Sequence, residues 1–158
     1  MKEKLQKIAL IAEIVGAIGV VISLIYVGVG VRQNTGAIQV ANHQALVALD
    51  MEKNSWLRDT EFVAIYENAL QGIEKLSPVE LIQVTTFVAD TFNTWEFAYI
   101  TYNNGAMEDT IWHGWDSYYR SVLEEEEPYQ WFWNDGGEYF SPDFNSYIES
   151  IITESNNR

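Results

Sequence analysis

Few side chains in this sequence are spaced for chemistry. The two histidines are His43 and His113, and His113 follows Asp109 by four residues, the spacing that shares one face of a helix. Such a pair can hold one edge of a metal site or poise a base. A metal site inside a helical bundle, however, draws carboxylates and Glu-x-x-His motifs from several helices, and no Glu-x-x-His occurs here. The pair therefore reads as a structural ion pair or a solvated histidine. Glu124 to Glu127 could offer four carboxylates to a hard cation such as calcium, but the run lacks the ligand spacing and turn glycine of a dedicated loop. It reads as a solvated acidic loop after the end of a helix, where acids oppose the dipole. No phosphate-cradling Gly-rich loop, Gly-x-Ser-x-Gly or His-Glu-x-x-His is present. With no cysteine, thiolate catalysis, Cys-ligated zinc, iron-sulfur clusters and disulfides are removed as well. The expectation is a protein without enzymatic activity, catalytic residues, cofactor or metal.

One carboxylate stands apart because of its surroundings. Glu13 is the single charged side chain between Ile8 and Val31, a run of 24 residues. As a helix that run spans about 36 Å, against a hydrocarbon core of about 30 Å. Fourteen of its residues are Ile, Leu or Val. Each is favourable in the bilayer by a few tenths of a kcal/mol, and together they outweigh the roughly 3 kcal/mol of one central carboxylate. The run therefore predicts a transmembrane helix over 8–31, behind a basic flank at 1–7. A cleaved signal peptide is the competing reading, since Lys2, Lys4 and Lys7 precede the run and Gly28-Val29-Gly30 offers a small-x-small site. Its apolar region would be only about 7 to 15 residues, far shorter than this one. Three lysines precede the span and only Arg32 follows closely, so the positive-inside tendency puts the N-terminus in the cytoplasm and residues 33–158 outside.

Within the span, steps of four and three residues pick out Ala9, Glu13, Gly16, Val20, Ser23, Val27 and Gly30. Five of these seven are small or polar, whereas the remaining positions are mostly Ile, Leu and Val. Membrane helices associate through faces where small residues let backbones approach and polar groups find partners. The stripe is accordingly the candidate oligomer interface. A water-lining face is the alternative, with a ring of Glu13 carboxylates selecting cations in a small homo-oligomeric channel. The same register continues through Asn34, Ala37, Ala41, Gln44 and Ala48, which predicts a helical extension over 32–56, with Gly36 its weak point.

Residues 33–158 form a different physical object, with five basic against 21 acidic side chains. A nucleic-acid partner is excluded, because phosphates would meet a surface of their own sign. Helix signals dominate: Ser77-Pro78-Val79-Glu80 combines a cap, a first-turn proline and a capping box. Leu81, Val84, Val88, Trp95, Ala98 and Tyr102 then recur at helical spacing until Asn103-Asn104-Gly105. Asp59 or Thr60 caps a segment ending near Gly72. Further pieces are expected from Glu108 to about Leu123, near Tyr129 to Trp133, and after Ser141-Pro142-Asp143, with a Gly136-Gly137 turn between the last two. The fold class is all-α: a transmembrane helix that continues into a long rod, followed by a small acidic helical bundle over 57–158. The chain has 6 Trp, 9 Tyr and 7 Phe, and seventeen of these lie between Phe92 and Tyr147. They are expected to fill the core, with a partner surface or ligand platform as the alternatives.

The stretch ALIAEIVGAIGVVISLIYVGVGVRQNT (residues 9–35), followed by a helical remainder with Trp112-x-x-Trp115 and Ser141-Pro142-Asp143-Phe144, resembles a group of uncharacterised bacterial proteins with one N-terminal transmembrane helix. The resemblance implies a bacterial inner-membrane setting and the single-pass topology, and it carries no activity or ligand. The expected function is scaffolding or partner binding by a homo-oligomer whose partners include the lipid bilayer. An anchored sensor or binding domain is a further alternative.

Overall fold

The computed structural model describes residues 2–136 and 139–157. About nine-tenths of the chain is helical, and no strand occurs among the described residues. Among the described residues six α-helices follow one another: α1 (Lys2–Asn54), α2 (Thr60–Ala69), α3 (Pro78–Asn103), α4 (Asp109–Glu125), α5 (Glu127–Gly136) and α6 (Pro142–Asn156). Short 3-10 turns cover Ser55–Arg58 and Ile73–Lys75. The chain divides into two compact units between Ile38 and Gln39, with α1 contributing to both.

The first unit is a helix without a core. An 18-residue window of it reaches a mean hydropathy of 2.6, and none of that window is buried. This is one helix long and apolar enough to cross a membrane. Gly36 does not interrupt it, and the Thr35 hydroxyl donates back to the Val31 carbonyl at 3.0 Å. The expected extension to residue 56 ends slightly earlier: α1 stops at Asn54, and Ser55–Arg58 tighten into a 3-10 turn.

The second unit is the bundle, and α3 is its axis, with α2, α4, α5 and α6 all packing on it. The helix begins where the capping box requires. The Ser77 side chain accepts from the Glu80 amide at 3.4 Å, and Glu80 accepts from the Ser77 amide at 2.7 Å. It ends at Asn104, after which Gly105 adopts φ +69, a left-handed conformation that glycine reaches without steric cost. Val84, Val88, Phe92, Trp95 and Ala98 are buried along it. Phe92 lies against Trp95, Tyr129, Phe132, Trp133 and Phe140, with ring centroids 5.1 to 6.1 Å apart. Rings of 150–250 Å² each are thus what fills a bundle with few large aliphatic side chains in its C-terminal half. Tyr139, 86% exposed, is the large exception.

The acidic run corrects the sequence expectation. Glu124 and Glu125 complete the last turn of α4, and Glu127 opens α5, so only Glu126 lies between the two helices. Val122 and Leu123, both buried, carry α4 inward to its end, and the fully buried Pro128 starts α5 directly. The last of the four acids therefore sits at a helix N-terminus, where it is favoured. The piece expected near Tyr129 to Trp133 is correspondingly longer, spanning Glu127–Gly136. The expected Gly136-Gly137 turn falls partly outside the described residues.

Candidate functional site

In the first unit, Ala9, Glu13, Gly16, Val20, Ser23, Val27 and Gly30 all lie on α1 and are all exposed. A Cβ built at Gly16 or Gly30 would meet nothing within 4 Å, so the space beside these glycines is open. The Ser23 hydroxyl donates to the Gly19 carbonyl at 2.9 Å, within its own helix. The stripe is thus present as a helical face without any covering group.

In the second unit, α1 is anchored to the bundle through one side only. The Gln39 side-chain amide donates to the Gly105 carbonyl at 3.3 Å, and that of Asn42 to the Ala106 carbonyl at 3.1 Å. Leu46 is fully buried on the same side, and Lys53 is 3% exposed. The Lys53 ammonium sits 3.1 Å from Asp50 and within 6 Å of the ring centres of Phe87, Tyr118 and Tyr119. Asp50 in turn accepts from the Asn54 amide at 2.7 Å. A buried cation with a carboxylate neighbour and aromatic faces around it fixes how α1 seats on α3 and α4. Nearby, burial and then the Glu52 carboxylate push the Asp90 carboxyl upward, while Lys53 opposes them.

A second buried charge ties the other side of the bundle. Asp116, 8% exposed, accepts from the Trp95 indole at 3.2 Å, from the Arg120 guanidinium at 2.8 Å and from the Tyr147 hydroxyl. Arg120 also donates to the Tyr147 hydroxyl at 2.9 Å. Burial raises the Tyr147 phenol, and its bond to Asp116 raises it further. Burial also works against the Arg120 charge, yet the bonds to Tyr147 and Asp116 more than offset it and raise the guanidinium. The cluster joins α3, α4 and α6, and its carboxylate is occupied by protein donors.

A third polar contact involves the acidic run. The Tyr66 hydroxyl on α2 donates to Glu126, and the Tyr129 hydroxyl shares a hydrogen bond with Thr91 at 3.2 Å. Burial, then the neighbouring Tyr129 and Glu126, raises the Tyr66 phenol. One of the four glutamates thus has a packing role, while Glu124, Glu125 and Glu127 are exposed.

The histidines are placed apart. Asp109 and His113 are both exposed on α4. His43 lines an open groove of about 520 Å³ beside α4, with Asp50, Ile111, Trp115 and Tyr118. The Asp50 carboxylate in that groove is engaged by Lys53 and Asn54. No cluster of three or more His, Cys, Asp or Glu side chains that could hold a metal ion occurs among the described residues. No protein-family description, curated protein or solved structure matches this chain.

The buried charges Lys53 and Asp116 were not among the residues singled out from the sequence. Arg120 four residues after Asp116, inside an aromatic-rich helix, was the available signal for one of them. For Lys53 it was a lone cation three residues after Asp50.

Proposed function

We propose that this is a single-pass bacterial inner-membrane protein without enzymatic activity. It self-associates through α1 and presents an acidic helical domain outside, where it scaffolds or binds a protein partner. The observation that carries the reading is the contrast between the two units. The bundle buries its own rings, whereas the apolar length of α1 has no protein cover over a window of mean hydropathy 2.6. Lipid is the solvent in which such a helix is stable. The stripe from Ala9 to Gly30 supports self-association, because small residues give close approach where apolar packing alone gains little over lipid. The charge bias of Lys2, Lys4 and Lys7 against Arg32 supports a cytoplasmic N-terminus. The buried polar groups of the bundle join helices to one another, which favours a structural and binding role over catalysis.

The test is native mass spectrometry of the full-length protein in nanodiscs, beside a Gly16→Ile variant. A discrete oligomer that is lost in the variant supports the interface. A monomer in both removes self-association and leaves an anchored binding domain. Should an oligomer form, cation flux in liposomes that disappears in Glu13→Gln would replace the scaffold reading with the channel.

A further inference from the structure

We infer that the groove between α1 and α4 is a binding site for a small uncharged aromatic carboxamide. The groove lies wholly within the second unit, so the inference stands apart from self-association.

The first observation is where hydrogen-bonding capacity is left over. Among the described residues, five buried side-chain polar atoms have no hydrogen-bond partner. Four of the five gather at this groove: His43 Nδ1, Asp50 Oδ1, Lys53 Nζ and the Tyr119 hydroxyl. His43 and Asp50 line it. The ammonium of Lys53, which is 3% exposed, stands 3.1 Å from Asp50 but is not aligned to donate to it. Tyr119, fully buried, packs against the lining rings of Trp115 and Tyr118, with centroids 5.9 and 5.1 Å away. Folded proteins leave few buried polar groups unpaired, so a concentration of them at one concave surface marks a place that a polar ligand completes.

The second observation is shape. The groove holds about 520 Å³, and small-molecule sites hold about 300–1,000 Å³. Trp115, Tyr118 and Ile111 give it apolar walls that suit a flat ring. Gly114 leaves the α4 side open, since a Cβ built there would meet nothing within 4 Å. The Lys53 ammonium lies 5.5 Å from the centre of the Tyr118 ring, and Tyr118 is 41% exposed. Turning that one exposed ring opens the polar floor to the groove.

Charge then selects the head group. The floor holds one cation and one carboxylate, Lys53 and Asp50. An anion would accept from Lys53 and Tyr119, but it would meet Asp50 and the field of an acidic domain. A cation would bond Asp50 alone and meet the charge of Lys53. A carboxamide serves both sides. Its carbonyl oxygen has two lone pairs for the Lys53 ammonium and the Tyr119 hydroxyl, and its N–H donates to Asp50 Oδ1. His43 precedes Asp50 by two helical turns, about 10 Å, so its Nδ1 receives a donor at the far end of the ring. The ligand is thus a flat ring with a carboxamide at one end and a hydroxyl at the other, as in para-hydroxybenzamide.

The experiment is ligand-observed saturation-transfer NMR on the full-length chain in nanodiscs, with empty nanodiscs as the blank for lipid partitioning. Three probes share one shape: neutral para-hydroxybenzamide, anionic para-hydroxybenzoate and cationic para-hydroxybenzylamine. The expected result is saturable binding of the neutral probe at least about tenfold tighter than either charged one, weakened at least about tenfold by Gly114→Leu and by Tyr119→Phe. Gly114→Leu fills the groove without displacing a neighbour, and Tyr119→Phe removes a hydroxyl that bonds nothing in the free protein. Both variants therefore keep the fold, which circular dichroism checks. Absence of saturable binding by the neutral probe overturns the site, as does binding that Gly114→Leu leaves unchanged. A charged probe that binds as tightly as the neutral one, or affinity that Tyr119→Phe does not move, overturns the polar floor as the recognition element.

Discussion

Asp116 is where the bundle concentrates its polar demand. Its carboxylate is nearly buried and holds three donors at once, from Trp95 on α3, Arg120 on its own helix and Tyr147 on α6. Replacing it with alanine leaves the Trp95 indole and the Tyr147 phenol without their acceptor, while the half-exposed Arg120 keeps Glu154 at 3.7 Å. Leaving such buried donors unsatisfied costs about 1–3 kcal/mol. Asp116→Ala is therefore expected to lower the unfolding free energy of the full-length protein's bundle by that margin, read from its urea transition by near-ultraviolet circular dichroism. Glu124, equally acidic but exposed at the end of α4, is the control: Glu124→Ala changes stability by less than about 0.5 kcal/mol. If the two variants unfold alike, the network carries no special weight. The contrast shows why counting carboxylates in so acidic a chain says little, since surroundings and not residue type separate the two.

At the scale of elements, the best-read helix is α3, because its start is written in short-range chemistry. Ser77 accepts from the amide of Glu80, and Glu80 accepts from that of Ser77. Removing the hydroxyl with Ser77→Ala is expected to cost about 1 kcal/mol. The reciprocal bond also predicts a pH dependence. Hydrogen bonding to the Ser77 side chain and then to its backbone holds the Glu80 carboxyl below its ordinary value. A lowered folded value means that Glu80 contributes its stability above the unfolded value and loses it as pH falls through the folded one. Glu80→Gln should therefore flatten the acid limb of the stability curve, and an unchanged limb in thermal melts from neutral to acid pH would count against the assignment. The start of α2, where the Asp59 side chain accepts from the Glu61 amide at 2.9 Å and so decides between Asp59 and Thr60, and the stop at Gly105 were legible for the same local reason. The ends of α4 and α5 were not, because the fate of Glu124 to Glu127 depends on Val122, Leu123 and Pro128 being buried and on Tyr66 reaching Glu126 from a distant helix. The apolar span and its stripe could be read from spacing alone, whereas the side of α1 that the bundle covers depends on which carbonyls Gln39 and Asn42 find in the α3–α4 turn.

For the molecule as a whole, the self-association proposed for the apolar helix would be opposed by the repulsion of what it carries. Residues 33–158 hold 21 acidic and five basic side chains, a balance of −16 on each copy. Two such domains brought together repel. Self-repulsion of this kind is long-ranged at low salt and largely screened once separations exceed the Debye length, about 30 Å at 0.01 M and about 8 Å at 0.15 M. Association driven by ion pairs weakens as salt rises; association driven by small-residue packing against like-charged domains strengthens. Energy transfer between donor- and acceptor-labelled full-length copies, reconstituted in liposomes at fixed protein-to-lipid ratio, is thus expected to increase between 0.01 and 0.15 M salt, as the screening length shortens nearly fourfold. Gly16→Ile should lower transfer at both salt concentrations. A decrease with salt in the unmodified protein would mean that opposite charges hold the copies together, and would move the interface from the stripe of the apolar helix to the few cations of the bundle, Lys75 and Arg58 first among those exposed.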